Sequence, residues 1–148
     1  MNIRPVEPAD LTDWISMRSE LWPKDRSQHP IELAEYFAGK SIDIVETFVV
    51  EVANRELAGF IELNIRNFAE GSRSPRVPYI EGWFVKPEYR GRGYGKALIQ
   101  QAESWAVQEG FKEIASDTET HNHTSIAMHK KLGFIETERV VCFLKPLK

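Results

Sequence analysis

The run Arg90-Gly91-Arg92-Gly93-Tyr94-Gly95-Lys96 is where residue types and spacing in this sequence could most directly do chemistry. Glycines let a backbone approach an anion closely and adopt dihedrals that other residues resist. A helix starting on such a turn aims free N–H groups and a partial positive charge at the same point. Together they would cradle a pyrophosphate. Two phosphate motifs fail on spacing. A Walker loop needs Gly-x-x-x-x-Gly-Lys-[Ser/Thr], but position 90 is Arg and Lys96 is followed by Ala97. The dinucleotide fingerprint needs Gly-x-Gly-x-x-Gly in an opening βα turn, whereas Gly91, Gly93 and Gly95 alternate and lie past mid-chain.

The flanking pattern supplies the elements that must hold this turn. A strand over 79–85 precedes it, and a helix over 95–108 follows, with Leu98, Ile99, Ala102, Trp105 and Ala106 on one face and Gly110 after its end. Upstream, a first helix opens near Pro8, with Asp10 in its first turn. It carries Leu11, Trp14, Ile15, Arg18 and Leu21 at helical spacing and stops at Pro23. A second helix covers 31–37 and ends at Gly39. Two β-like runs, 47–53 and 57–66, are joined by Asn54-Arg55-Glu56 as a hairpin. Residues 67–78 read as an exposed loop. Downstream come a short strand at 113–118, a helix at 122–132 stopped by Gly133, and a last strand at 140–145. A hairpin followed by alternating strands and helices is an α/β (α+β) pattern: one mixed sheet with helices packed on it.

Bulk composition sets the frame. A chain of 148 residues, 42% hydrophobic, suits a single domain spanning 1–148. No segment nears the roughly 20 apolar residues of a membrane span. The longest apolar run, Val140-Val141-Cys142-Phe143-Leu144, suits a buried strand, which makes Cys142, the single cysteine, a core thiol. The N-terminus lacks the apolar stretch of a signal peptide, so a cytoplasmic protein is expected. A net charge of −3 argues mildly against nucleic acid and fits a cationic substrate. His121-x-His123 lacks a third clustered ligand, so no metal is expected.

The match [Gln/Arg]-x-x-Gly-x-[Gly/Ala], filled by Arg90, Gly93 and Gly95, resembles the acyl-CoA signature of the GNAT superfamily. Its context agrees: Val85-x-Pro87-x-x-Arg90 before, a long helix after, then strand, Asn122 helix and Leu132-Gly133-Phe134. Further blocks resemble aminoglycoside 6'-N-acetyltransferases: Trp14, Arg18, Leu21-Trp22-Pro23, Ile80-Glu81-Gly82, Ala115-Ser116-Asp117-Thr118 and Gly133-Phe134-x-Glu136-Thr137-Glu138-Arg139-Val140. The resemblance implies a single-domain GNAT fold, with a mostly antiparallel sheet whose strands splay at the acyl-CoA site, and a homodimer. It implies acetyl-CoA as co-substrate and an aminoglycoside or other small cationic amine as acceptor.

Carried over by position, Trp83, Phe84 and Val85 would run along the pantetheine arm, and Arg90, Gly91, Arg92, Gly93, Tyr94, Gly95 and Lys96 would hold the pyrophosphate. Asn122 would touch the cofactor near the thioester, though Asn there also suits a plain helix cap. Glu81, Asp117 and Glu138 would line the acceptor cleft, with Trp22 and Phe68 over sugar rings. Glu81 and Asp117 could equally face water at strand edges, Glu138 could belong to a solvated turn, and Trp22 to the core. Acyl transfer needs a neutral amine, and a carboxylate can take the ammonium proton directly or through one water. Asp117 is the first choice as base and Glu81 the second. The Val85 N–H on a bulged strand would polarise the thioester carbonyl. Many superfamily members place a Tyr seven residues after the Asn; here that position is His129, which leaves the acid step without an assigned residue. The competing readings are the same chemistry on a peptide N-terminus, lysine or polyamine, and a non-catalytic acyl-CoA-binding module.

Overall fold

The computed structural model describes all 148 residues and contains a five-stranded sheet in the order β1-β2-β3-β4-β5. Strands β1 (Asn2–Pro5), β2 (Glu46–Ala53), β3 (Glu56–Arg66) and β4 (Val77–Val85) pair antiparallel. Only β5 (Ala115–Ser116) runs parallel to its neighbour. The sheet is therefore mixed and mostly antiparallel, as expected.

Because successive strand residues point to opposite faces, the sheet buries two apolar sets. One face packs on α3 (Tyr94–Gln108), where Leu98, Ile99, Ala102 and Trp105 meet Phe48, Val50, Leu63 and Ile80. The other packs on α1 (Leu11–Leu21) and α2 (His29–Phe37), where Trp14, Met17 and Leu33 meet Val49, Phe60 and Phe84. A short 3-10 turn, Pro8–Asp10, leads into α1, and another, Pro23–Asp25, follows it; proline explains both boundaries. The β2–β3 hairpin turns through Asn54 and Arg55 at φ 47° and 64°, the left-handed pair that matches strand twist.

Strand β1 has no counterpart in the sequence reading. Four residues ending in proline carry no clear alternation, and Arg4 decides the matter. Its guanidinium bonds Glu51 on β2 at 2.7 Å and both oxygens of Asp10 at 2.7 and 3.0 Å. Burial pushes the Asp10 carboxyl up, but Arg4 and the Glu7 N–H outweigh that and hold it below its ordinary value.

The C-terminal end departs most from expectation. The strand at 113–118 contracts to β5, and the strand at 140–145 does not form. Val141, Phe143 and Leu144 are 77, 91 and 94% exposed. Cys142 is exposed as well, not a core thiol. A strand needs a neighbour to satisfy its amides, and no part of this chain lies beside that run. Fully burying such side chains is worth about 1.5–3 kcal/mol each, none of it realised within one chain. The 67–78 loop is less open than expected, since Ala69 and Val77 pack on Tyr79 and β4 begins at Val77.

Candidate active site

Helix α3 begins on the glycine turn. A short 3-10 turn, Pro87–Tyr89, brings the chain off β4, and Gly91 and Gly93 follow at φ 80° and 85°, which few side chains tolerate. Gly95 serves packing instead: a Cβ there would lie 3.3 Å from the Trp83 ring. None of the amides from Gly91 to Lys96 donates to a backbone carbonyl, and α3 takes up the pattern only at Ala97 N–H to Gly93 O. A row of unspent N–H groups at a helix N-terminus is an anion cradle. Arg90 and Arg92 flank it, their guanidinium groups over Phe84 and Tyr89.

Strand β4 leads to this cradle along an open edge. Strand β5 pairs only with Tyr79 and Ile80, so from Glu81 onward β4 has no neighbour on that side. The sheet splays there. The pairing of β4 with β3 shifts register between Glu62 and Leu63, leaving Glu81 as the extra residue. The bulge is thus at Glu81, on the same strand as Val85 and four residues before it. Lys86 N–H bonds Ala58 O at 2.8 Å, and antiparallel pairs alternate. Gly82 and Phe84 therefore turn their amides to β3, while Trp83 and Val85 turn theirs to the open edge. Val85 O, on the same edge, accepts from Arg90 Nε at 2.8 Å.

The candidate carboxylates are joined by residues the sequence reading missed. Tyr79 donates to Asp117 Oδ2 at 2.6 Å, leaving Oδ1 without a protein partner. Burial and this bond both push the Tyr79 phenol up, so Tyr79 stays a donor. Arg66 lies 3.6 Å over the Tyr79 ring and grips both oxygens of Glu81 at 2.7 and 2.8 Å. Asn64 adds a bond to Glu81 at 3.0 Å. Glu81 is saturated by donors, whereas Asp117 keeps a free oxygen. No motif could have announced Tyr79, Arg66 or Asn64; only the β3–β4 register juxtaposes them.

Glu81 also borders a hollow of about 270 Å³ between α1, α2 and the sheet. Its lining includes Asp25, Glu32, Glu35, Asp43, Glu62 and Glu81 against a single guanidinium, Arg18, with Trp22 and His29 beside them. Trp22 sits over Gly82, where a Cβ would come within 2.6 Å of its ring, so it is a wall of the hollow and not ordinary core. His29 Nε2 faces the Trp22 carbonyl at 3.1 Å; a carbonyl only accepts, so Nε2 carries the proton. Glu62 is fully buried and bonds Trp14 Nε1 at 3.0 Å, with Arg18 at 3.2 Å. Burial pushes its carboxyl up to about 7 against the pull of Arg18.

The other predicted residues fall as follows. Asn122 caps α4 (His123–Lys131), its Oδ1 accepting from Ser125 N–H at 3.1 Å. Its Nδ2 makes no bond within the chain. His129 lies edge-on to Trp83 and Phe134. Its Nδ1 donates to Ser125 O at 2.8 Å, so Nε2 accepts from the Ser116 hydroxyl at 2.8 Å. Both ring nitrogens of His129 are thus engaged by partners within the chain. Phe68 is 66% exposed and outside the hollow, and Glu138 is exposed and unpaired on the C-terminal segment. Neither lines the hollow that Glu81 borders.

Residues 14–134 match the model of the acetyltransferase (GNAT) family. The chain is 43% identical over 146 residues to the aminoglycoside N(6')-acetyltransferase type 1 of Klebsiella aerogenes, covering 98% of this chain and 96% of that one. A relative of the same name from Acinetobacter baumannii is 38% identical, with 98% of each chain covered. Among solved structures, the apo aminoglycoside 6'-N-acetyltransferase AAC(6')-IG from Acinetobacter haemolyticus superposes with a TM-score of 0.89 at 36% identity, over 100% of both chains. AAC(6')-Iy bound to the bisubstrate analog CoA-S-monomethyl-acetylneamine gives 0.86 at 34%, over 99% of this chain and 98% of that one. With an amide cradle at Gly91 to Lys96, a splayed β4 edge and these likenesses over its whole length, the chain belongs to the GNAT acetyltransferases and, within them, to the aminoglycoside N(6')-acetyltransferases.

Proposed function

We infer that this protein transfers an acetyl group from acetyl-CoA to the 6'-amino group of an aminoglycoside, and so confers resistance to that class of antibiotic. The observation that carries the acceptor is the hollow at Trp22, where six carboxylates face one arginine and Glu81 links them to the splayed edge of β4. A compact, multiply charged amine is the ligand such a surface would bind, because partly desolvated carboxylates both orient and hold ammonium groups.

Bound acetyl-CoA would supply an activated thioester. The amides of Gly91 to Lys96 would hold its pyrophosphate, Arg90 and Arg92 would flank it, and the outward amides of Trp83 and Val85 would bond the pantetheine arm. Phe84, buried behind them, keeps that edge rigid. Asn122 Nδ2 is free to bond near the thioester. Asp117 Oδ1 would accept the ammonium proton, directly or through one water. The amine would then attack the acetyl carbon: an N–C bond forms, the C–S bond breaks, and the second amine proton passes to the departing CoA thiolate, giving the amide and free CoA thiol. The Val85 N–H would donate to the carbonyl oxygen as charge builds there. Glu81, held by Arg66, orients the acceptor and is a poorer base. Trp22 would cover a sugar ring, leaving Phe68 and Glu138 for the outer part of the acceptor. No covalent enzyme intermediate is required.

We take the working unit to be a homodimer and its compartment the cytoplasm, where acetyl-CoA is available. The test is release of CoA with tobramycin and kanamycin, set against spermidine, lysine and peptide N-termini, with the product located by mass spectrometry. Turnover confined to the aminoglycosides, with acetate on the 6'-nitrogen, is expected. Thermal stabilisation by CoA with no turnover of any aminoglycoside would sink the reading.

A further inference from the structure

Ser116 ends β5 at the fork of the sheet. It pairs with Ile80, the last residue of β4 to have a neighbour on that side, and beyond it the two strands part. One side chain spans the gap. The His129 ring, from α4, lies edge-on to Trp83 on β4 with centroids 5.4 Å apart, and its Nε2 meets the Ser116 hydroxyl on β5 at 2.8 Å. Ser116 and His129 are both half-buried, so a small ligand in the fork can reach them. The transfer reaction derived above uses neither residue.

The direction of these bonds decides what the pair can do. His129 Nδ1 lies 2.8 Å from Ser125 O, and a carbonyl only accepts, so Nδ1 carries the proton. Nε2 is left with a lone pair, and the Ser116 hydroxyl donates to it. Trp83 and Phe134 pack edge-on against the ring and hold it in this orientation. A hydroxyl, an imidazole with its lone pair toward that hydroxyl, and an acceptor that fixes the tautomer stand in line. By that arrangement a base activates a serine, with Ser125 O in the orienting part. Asp117, one residue on, turns instead to Tyr79, so the carboxylate and the hydroxyl serve different partners.

We propose that Ser116, with His129 as its base, takes the acetyl group of an activated ester or thioester when no amine occupies the cleft, and passes it to water. In the first half Oγ attacks the acetyl carbon and its proton moves to Nε2. The C–S bond of acetyl-CoA breaks, and the thiolate takes that proton to leave as free CoA. In the second half a water molecule attacks the ester carbon and gives a proton to Nε2. The C–Oγ bond breaks, the proton returns to Oγ, and acetic acid leaves. Water is the only other reactant. A bound neutral amine is the better nucleophile, so transfer proceeds without this ester. Acetyl-CoA as the donor rests on the functional reading above; the serine chemistry itself does not, since any small activated acetyl ester serves.

The full chain is incubated with acetyl-CoA, and separately with p-nitrophenyl acetate, in buffer free of amines. Released CoA or nitrophenolate is followed, and acid-quenched protein is digested and mapped by mass spectrometry. Release faster than in buffer alone is expected, with a hydroxylamine-labile acetyl ester on Ser116. Ser116→Ala should return release to the buffer rate, and His129→Gln should slow it about 10²-fold, the lower end of what a positioned base contributes. Ser116→Cys should restore release, which a serine with only a structural role would not do. A rise in Tm with CoA in each variant shows that the cleft is intact. Wild type that CoA stabilises, but that shows neither acetate on Ser116 nor release above buffer, overturns the proposal. So does release that Ser116→Ala leaves unchanged. Ser116 acetylated by p-nitrophenyl acetate, with no stabilisation by CoA, supports the serine chemistry and overturns the acyl-CoA reading instead.

Discussion

Residues up to Ala106 and residues after it are built on different terms. The first part holds all of the buried side chains, most of them in two clusters that sandwich the sheet. The second part holds Asp117, Asn122 and His129 on elements that bury nothing fully. The glycine-turn cradle lies in the first part, at the start of α3. Stability is thus anchored in one region together with the cradle we propose for acyl-CoA, while the residue we propose for proton transfer, Asp117, lies in the other.

The comparison breaks if the two regions respond alike to substitution. Trp14→Ala removes a fully buried side chain between α1 and the sheet and orphans Glu62. A loss of about 3–5 kcal/mol in urea-unfolding stability is expected. Equal stability in the variant would mean that the first part does not carry the fold.

Asp117→Asn should do the opposite. It should leave the melting temperature within a few degrees and cut kcat by about 10²–10³-fold, the range for a positioned base. KM for acetyl-CoA should not move. A rate loss that vanishes at high pH, where the amine is already neutral, would sharpen the assignment to proton transfer; a shift in acetyl-CoA affinity would contradict it.

Glu62 probes the floor of the acidic hollow. Its folded value, about 7, lies above the ordinary carboxylate range. The folded state then binds more protons than the unfolded state between those values, so stability falls as pH rises through 7. The span sets an upper bound of about 3 kcal/mol on that change. Glu62→Gln should flatten the dependence of urea midpoints between pH 5 and 8. A wild-type midpoint that rises with pH over that range would show the sign to be wrong.

The smallest effect is expected at the contact between the regions that hold cofactor and acceptor. Gly82→Ala pushes a methyl group toward Trp22, 2.6 Å from its ring. Displacing that ring should raise the aminoglycoside KM by about tenfold, the equivalent of a modest overpacking penalty. Unchanged acceptor KM would remove Trp22 from the acceptor wall.

Much of this was legible without coordinates. The helices at α1, α2, α3 and α4, the hairpin and β4 follow from periodicity and from Pro23, Gly39, Gly110 and Gly133, because helix faces and helix ends are local properties. The cradle was legible for the same reason: Gly91 and Gly93 dictate a left-handed turn within a few residues. Strand β1 was not, since what holds it is distant in sequence: its pairing with β2 and the reach of Arg4 to Glu51 and Asp10. The apolar run at 140–144 reads as a buried strand and is not one: it lies exposed, because hydrophobic composition says nothing about whether a neighbour is there to cover it. Its composition calls for two covered faces, and its own chain supplies neither.

What the sequence determined by itself is therefore the anion-binding turn and the elements on either side, whose physics is confined to neighbouring residues. The tertiary structure decided which acid is free. Glu81 and Asp117 are equivalent on paper, but the β3–β4 register hands both oxygens of Glu81 to Arg66 and leaves Asp117 one oxygen beyond its bond to Tyr79. A carboxylate's chemistry depends on who donates to it, and those donors lie up to 38 residues away in sequence.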